Sequence, residues 1–327
     1  MPTRGSFGRA IIGTGISLLA LALVVRSVDL AATWQVLVTA RPGWLLLLPV
    51  FLGLDVLLRG YRWRVLLAPV ASVPLRTTTA SLLVGYLANN VLPARLGELV
   101  RSHDLGNRTG LSRPTILGTI VVERVVDTMV VVAIAALAIL VLSVRGIVAS
   151  AVLAGAAITA LLVVGIAAGI AAHRLPGGRW IADTLWRWPR VRASLVRLRA
   201  GLAIAADVRV MATSVLLSVG SWSFTVLAFA SAAQAVGVEP TMGQAALLAA
   251  GTNLATAVPA APGYVGTFEL AAVAIGASVG LSREAVLASA ILVHAATLLL
   301  TSVGGALALV LAGRRPAPVS ADPGTSR

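Results

Sequence analysis

The sequence contains no cysteine and no lysine, and it has few charged residues of any kind. The absence of cysteine excludes disulfides, thiolate metal sites and cysteine nucleophiles. Charged residues make up 12% of the 327 residues, about half of their usual share in a soluble protein. Apolar residues make up 58%, and the mean hydropathy is +0.95. This composition argues against an ordinary soluble domain and indicates an integral membrane protein.

The apolar residues are grouped into runs that predict an all-α polytopic membrane protein. Crossing the hydrocarbon core takes about 20 predominantly apolar residues, and six segments have about this length or more. They are 8–25, 44–66, 116–142, 147–172, 211–236 and 286–312. No small-residue cleavage site follows the first run, so we interpret it as an uncleaved span. We expect one membrane domain over 1–312 and a disordered tail over 313–327.

Two further apolar regions are broken. The region 79–92 ends in two Asn followed by Pro93, and the region 244–281 is interrupted by Pro and Gly. Unpaired backbone groups cannot face lipid, so a break at membrane depth must be covered by protein or by a water-filled cavity. We predict re-entrant or discontinuous helices that line an internal cavity, with a possible inverted repeat. The alternative is a pair of short loops outside the membrane.

The arginines carry the topology signal. If the N-terminus is cytoplasmic and both broken regions return to the side that they entered from, 21 of the 26 arginines lie inside and four outside. This bias satisfies the positive-inside rule and predicts a cell-membrane protein with both termini in the cytoplasm. The segment 173–210 then forms a cytoplasmic loop rich in Arg and Trp. It is either an amphipathic helix on the anionic leaflet or an ordinary connector.

The first candidate site lies within an otherwise apolar span. Glu123, Arg124 and Asp127 share one helix face, because they are spaced at i,i+3 and i,i+4. Each charge at a helix centre costs about 2.5–3.5 kcal/mol on insertion scales. We interpret the group as the polar wall of a headgroup cavity. The alternative is an internal salt bridge that fixes helix packing.

The second candidate site follows the first broken region, where Asn89, Asn90, Arg95, Glu98 and Arg101 are close together in sequence. The Asn side chains are suited to capping exposed backbone groups. The two arginines are suited to binding a phosphate. The alternative is a capped turn at the membrane surface.

The third candidate site repeats these ingredients in the second broken region. Its residues are Asn253, Gly263, Gly266 and Glu269. Paired interruptions in the two halves of a chain point to a transporter's central site. We therefore expect Glu98 and Glu269 to border one polar cavity that also receives Arg124. His103 and His294 have no neighbouring ligand set in the sequence, and no metal site is predicted.

At these three motifs the chain resembles the flippase-like membrane domain of the lysylphosphatidylglycerol synthase family. The likeness covers about residues 8–312. The matching residues are Asn90, Pro93, Arg95, Gly97, Glu98, Arg101, Glu123, Arg124, Asp127, Pro262, Gly263, Gly266 and Glu269. The resemblance implies a lipid-translocating fold that acts on an aminoacylated, anionic or polyprenyl-linked lipid. Only about fourteen residues follow the last predicted span, so the aminoacyl-transfer activity of the bifunctional members is not expected.

The leading functional hypothesis is a lipid flippase or lipid-binding transporter that is not an enzyme and uses no cofactor. We expect its partners to be membrane lipids with anionic headgroups and not nucleic acid. The arginines that give the net charge of +14 lie between apolar runs and not on a basic soluble domain. Two alternatives stay open. One is a membrane enzyme of lipid-linked substrates, such as a lipid phosphatase or a glycosyltransferase. The other is a non-transporting partner of a separate glycosyltransferase or synthase.

Overall fold

A computed structural model gives the fold and describes residues 4–92, 96–171, 189–257 and 260–312. Within these ranges the chain is helical and has no β-strand, so the predicted all-α class is confirmed. The helices are α1 (Arg4–Ser27), α2 (Leu30–Val38), α3 (Pro42–Leu45), α4 (Leu47–Leu67), α5 (Leu75–Val91), α6 (Gly97–Thr109), α7 (Arg113–Leu142), α8 (Ile147–Ala171), α9 (Pro189–Leu202), α10 (Val208–Ala235), α11 (Met242–Ala255), α12 (Thr267–Ser278) and α13 (Arg283–Ala312). Short 3-10 turns cover Ala203–Ala206 and Pro262–Tyr264.

Each of the six predicted spans corresponds to a helix. Four helical stretches in the described part of the chain are long and apolar enough to cross a membrane: Pro42–Leu67, α7, α10 and α13. The pair Gly13–Ser27 and Leu30–Val38 passes the same test together and bends by 87° between its two parts. Asp29 lies at this bend and caps α2, since its carboxylate accepts hydrogen bonds from the backbone N–H groups of Ala31 and Ala32 at 2.8 and 3.1 Å.

Both regions that were predicted to be broken are broken in the structure. Helix α5 ends at Val91 and α6 begins at Gly97, while α11 ends at Ala255 and α12 begins at Thr267. The second break turns at Gly263 and Gly266, whose φ angles of 71° and 90° suit glycine. The first break is closed by tight packing of α6 on α5. A Cβ atom on Gly97 would overlap the backbone of α5, so no larger residue fits there.

The described residues form three apolar clusters, and α7 contributes to the two larger ones. Its first half packs Ile116 and Ile120 beside Trp63 of α4. Its second half packs from Val130 onward against helices α10 and α11, around residues such as Phe229. The charged stretch of α7 lies between these two halves, so the fold surrounds those charges with protein.

The predicted loop 173–210 contains a helix in its described part. Helix α9 packs against α7 at a point where both helices have a glycine. A Cβ on Gly201 would lie 2.9 Å from the Cα atom of Gly118. Most side chains between Ala193 and Ala200 are exposed. Two parts of the prediction lie outside the described residues. They are residues 172–188, which include all three tryptophans of the loop, and the predicted tail 313–327.

Candidate functional site

Four arginines and three acidic residues form one ion-paired network among helices α4, α6 and α7. They are Arg59, Arg62, Arg101, Arg124, Asp55, Glu123 and Asp127. Four positive and three negative charges leave a net charge of +1. Burying ions costs several kcal/mol each unless they are paired and hydrogen-bonded. The network meets this condition because every carboxylate in it contacts at least one guanidinium.

Glu123 lies at the centre of the network and is fully buried. Its Oε1 atom accepts hydrogen bonds from Arg62 at 3.1 Å and from Arg124 at 3.0 Å. Its Oε2 atom accepts one from Arg101. The guanidinium of Arg101 also stacks on Trp63, with its central carbon 4.2 Å from the ring centroid. Glu123 therefore holds three cations from three helices in fixed positions.

Asp127 lies one turn further along α7 and is equally well bound. Its Oδ2 atom accepts hydrogen bonds from Arg62 at 2.8 Å and from Arg59 at 3.3 Å. Its Oδ1 atom accepts from Arg62, from Ser218 at 2.8 Å and from Trp222 at 3.3 Å. A carboxylate offers about four acceptor positions, so this group has little capacity left for a ligand.

Sequence reasoning missed the part that α4 plays in this network. It counted Arg59 and Arg62 as topology charges on the inner side, but Arg62 is fully buried and Arg59 is 8% exposed. Arg59 also forms an ion pair with Asp55 of the same helix at 2.8 Å. The spacing could have revealed the rest. Asp55, Arg59 and Arg62 recur at i, i+4 and i+7, which is one face of a helix.

A cavity of about 210 Å³ lies beside the network. It is lined by the second break and by helices α4, α5, α6, α7, α10, α11, α12 and α13. Its ionisable lining residues are Asp55, Arg59, Tyr86, Glu98, Arg124, Tyr264 and His294. Its other polar lining residues are Asn89, Asn90, Thr225, Asn253, Thr256, Thr297 and Thr301. Apolar side chains such as Leu52, Val56 and Phe229 share the lining. The cavity is thus polar in part and apolar in part.

Arg124 is the member of the network that is most open to this cavity. Its side chain is 40% exposed, against 10% or less for Arg59, Arg62 and Arg101. Its Nη2 atom donates to Glu123, and its Nη1 atom forms no hydrogen bond with a described residue. Its Nε–H also has no partner among the described residues, but this atom is buried. A guanidinium has five N–H donors, so Arg124 keeps donors for a ligand. It lies about 17 Å from the start of α7, which is about 45 Å long.

The first break brings two predicted residues to the cavity in a fixed arrangement. Asn89 accepts a hydrogen bond from the backbone N–H of Gly97 at 2.8 Å, so it caps the start of α6 across the break. Asn90 donates to Thr301 at 2.9 Å and to Ser302 at 3.0 Å, which ties α5 to α13. Glu98 follows on α6, lines the cavity and forms no ion pair with a described residue.

The second break lines the cavity through Tyr264, and α13 adds His294, a residue for which the sequence analysis predicted no role. Glu269 was expected to border the cavity, but it does not line it. Its carboxylate accepts the backbone N–H of Gly266 at 2.7 Å and contacts the Nδ1 atom of His294 at 2.6 Å. His294 lines the cavity instead, and its Nε2 atom lies 2.7 Å from the carbonyl oxygen of Gly263. No local pattern points to this contact, because the two partners are 25 residues apart.

The predicted site residues therefore fall into three groups. Those that line the cavity are Asn89, Asn90, Glu98, Arg124 and Asn253. Those that lie behind it are Arg101, Glu123, Asp127, Gly263, Gly266 and Glu269. Arg101 and Glu123 bind each other and do not line the cavity. Arg95 lies outside the described residues. The expected shared cavity thus receives Glu98 and Arg124 directly, and Glu269 only through His294.

These features define a class: an all-α polytopic membrane protein in which two broken helical regions and a buried charge network enclose a polar cavity. A family model described as the lysylphosphatidylglycerol synthase TM region matches residues 10–305. The chain belongs to this family. It is also 26% identical to a protein named glycosyltransferase AglD from Haloferax volcanii, over 90% of this chain and 53% of that protein. The chain thus spans about half the length of this curated relative. Together, the two matches support a lipid-related role in the membrane.

Proposed function

We propose that this protein binds the phosphate-bearing headgroup of an anionic, aminoacylated or polyprenyl-linked lipid in the cavity and moves that lipid between leaflets. The observation that carries the proposal is Arg124, a permanent cation that keeps unused donors and faces a polar cavity inside the helical bundle. A phosphate oxygen is the natural acceptor for such donors, since guanidinium–phosphate hydrogen bonds are charge-assisted.

The charged lining residues suit a ligand that carries both an anionic and a cationic group, because Arg59 and Arg124 are matched in number by Asp55 and Glu98. The carboxylates of Glu123 and Asp127 are already bound by arginines, so Arg124 is the cation that presents free donors to a phosphate. Glu98 and Asp55 also line the cavity, and Glu98 is positioned for a cationic group such as an aminoacyl amine. The cavity volume of about 210 Å³ suits a headgroup and not a whole lipid. The acyl or prenyl chains would therefore remain in the bilayer.

A second candidate function is suggested by the relative that is named a glycosyltransferase. In this function the chain holds a lipid-linked sugar for a separate glycosyltransferase and does not move it. Both candidates place a lipid phosphate at Arg124. They differ in what the purified protein does alone, because a holding partner would bind the lipid without changing its distribution between leaflets.

The test is a leaflet-accessibility assay in proteoliposomes that contain only this protein. Fluorescent phosphatidylglycerol and a fluorescent polyprenyl phosphate serve as probes, and a membrane-impermeant quencher reports how much of each reaches the outer leaflet. We expect faster exchange of at least one probe than in protein-free vesicles, and no acceleration for fluorescent phosphatidylcholine. Binding of both probes without faster exchange would favour the holding partner.

The matched variants are Arg124→Gln and Arg145→Gln. Both remove one arginine charge, but Arg145 is exposed in the connection between α7 and α8. A hydrogen bond to a charged group contributes about 1.5–3 kcal/mol, so Arg124→Gln should slow exchange by roughly ten- to a hundredfold. Arg145→Gln should leave it unchanged. Equal rates for wild type and Arg124→Gln, in protein that is equally well folded, would refute the role of Arg124.

A further inference from the structure

His294 uses both of its ring nitrogens inside the protein. Its Nε2 atom lies 2.7 Å from the carbonyl oxygen of Gly263, and its Nδ1 atom lies 2.6 Å from Oε1 of Glu269. The two side chains are 8% and 10% exposed. A carbonyl oxygen can only accept a hydrogen bond. The Nε2 atom must therefore carry a proton and donate it to Gly263.

The second contact requires one more proton. A hydrogen bond between Nδ1 and the carboxylate exists if the imidazole is doubly protonated and Glu269 is ionised. It also exists if Glu269 is protonated and donates to a neutral ring. If neither group carries that proton, two sets of lone pairs face each other at 2.6 Å. The contact between Nδ1 and Oε1 therefore requires one proton between these two atoms, whichever of them holds it.

The side chains of Glu269 and His294 also form hydrogen bonds with the backbone of the second break. The Oε2 atom of Glu269 accepts the backbone N–H of Gly266 at 2.7 Å, and His294 holds the carbonyl of Gly263. Phe268 packs on the imidazole with a centroid separation of 4.4 Å. Losing one proton leaves a neutral ring beside an ionised carboxylate, and a neutral ring has a single N–H. Either Nε2 keeps this proton and the contact with Glu269 becomes repulsive, or Nδ1 keeps it and the donation to Gly263 is lost, so in both tautomers one of these attachments must change. The conformation of the break therefore depends on the protonation of the pair.

We propose that the Glu269–His294 pair is a proton-binding site that couples proton release to movement of the second break and, through it, to the cavity. This inference rests on the proposed function where it concerns lipid movement, since it identifies a proton as the coupled ion. His294 lines the cavity, so water in the cavity can accept the released proton. Helix α13 also carries Thr297 and Thr301 of the lining, the latter hydrogen-bonded to Asn90. A shift of His294 would therefore reach the first break as well.

Other ionisable groups face the pair across the cavity. From the break, α4, α5, α6 and α7 these are Tyr264, Asp55, Arg59, Tyr86, Glu98 and Arg124. Helices α2 and α11 have no ionisable side chain, and the described side chains of α1 include only Arg26, in its last turn. Asp55 and Arg59 pair with each other, and Arg124 pairs with Glu123. The experiment therefore has to separate the response of Glu269 from that of these neighbours.

Hydrogen exchange of the backbone amides in residues 260–268 provides this test without requiring transport. The purified protein is measured from about pH 5 to about pH 8, where histidine charge changes are expected, with correction for intrinsic exchange. The variant Glu269→Gln keeps both contacts, because its amide NH₂ donates to Nδ1 and its oxygen accepts from Gly266, but its side chain does not ionise. The control His103→Gln removes an exposed histidine on α6.

We expect exchange in wild type and in His103→Gln to rise at least about tenfold as the pH increases, because hydrogen bonds to charged groups are lost. Glu269→Gln should remain protected at every pH. A flat wild-type profile of hydrogen exchange against pH, or the same rise in Glu269→Gln, would overturn the proton site.

A second experiment in proteoliposomes tests the coupling to lipid movement. The rate at which the lipid probes exchange between leaflets should respond to an imposed pH gradient in wild type and not in Glu269→Gln. Exchange that ignores the gradient in wild type would overturn the coupling. A pH-dependent break in a protein that moves neither lipid probe would support the proton site and count against lipid transport.

Discussion

Replacing Glu123 by Gln is the most direct way to test whether the charge network supports the fold. Glu123 is fully buried and accepts hydrogen bonds from Arg62, Arg101 and Arg124. Glutamine has nearly the same shape, so the change leaves no cavity. It removes one negative charge and places an NH₂ donor against guanidinium groups that also only donate. The net charge of the network rises from +1 to +2.

The expected loss is large because this charge is not screened by solvent. Removing one partner of a buried ion pair costs about 3–5 kcal/mol, chiefly because the remaining charge stays buried without compensation. We therefore expect Glu123→Gln to lower the free energy of unfolding by about 3–5 kcal/mol. The same substitution at Glu239, which is exposed between α10 and α11, should change it by less than about 0.5 kcal/mol.

Unfolding by SDS in mixed micelles, followed by tryptophan fluorescence, measures these values, since Trp63 and Trp222 contact the network. The double variant Glu123→Gln/Arg101→Met restores the net charge of +1. Because the two residues are in contact, we expect it to recover at least about 1 kcal/mol relative to the sum of the single changes. If Glu123→Gln were as stable as Glu239→Gln, the buried network would not stabilise the fold, and this reasoning would be wrong.

Three further predictions concern packing, hydrogen bonding and topology. Gly97→Ala should cost about 1–3 kcal/mol or more and lower the folded yield in detergent, because a Cβ there overlaps the backbone of α5, whereas Gly53→Ala has open space and should be neutral. Thr119→Val should lower the free energy of unfolding by about 1–3 kcal/mol in the micelle titration, because the buried indole N–H of Trp63 loses its acceptor, the Thr119 hydroxyl at 3.1 Å. An unchanged free energy of unfolding would mean that this hydrogen bond does not stabilise the fold. Single cysteines at Ala193 and Ser150, introduced into a chain that has none, should be labelled from opposite sides of intact cells, and outside labelling at 193 would contradict the predicted orientation.

The sequence predicted the helices and both breaks because these depend on local properties. Apolar run lengths locate the spans, and Pro and Gly locate the interruptions at 79–92 and 244–281. The charged group in α7 was also predictable, since three charges in an apolar run are too costly to be accidental. In each case, the relevant signal lies within a few residues of the feature.

The composition of the candidate site was harder to predict because it depends on contacts between distant residues. Arg62 binds Glu123 and Asp127, which are 61 and 65 residues away. The positive-inside rule treats an arginine near a helix end as a topology signal, and it cannot distinguish an exposed arginine from one that is paired inside the bundle. His294 was missed for the same reason, because its partners lie across the second break.

The absence of lysine has a consequence for how this site responds to its surroundings. Every cation in the network is a guanidinium, which stays protonated in proteins and binds carboxylates through a planar fork. Alkaline conditions therefore cannot discharge Arg124 or its neighbours, so the attraction of the cavity for an anion is constant on that side. If the Glu269–His294 pair binds a proton as proposed, the pH-dependent part of this site is separate from the arginines that would bind the phosphate. Protonation could then change the conformation of the second break without changing the charge of Arg124.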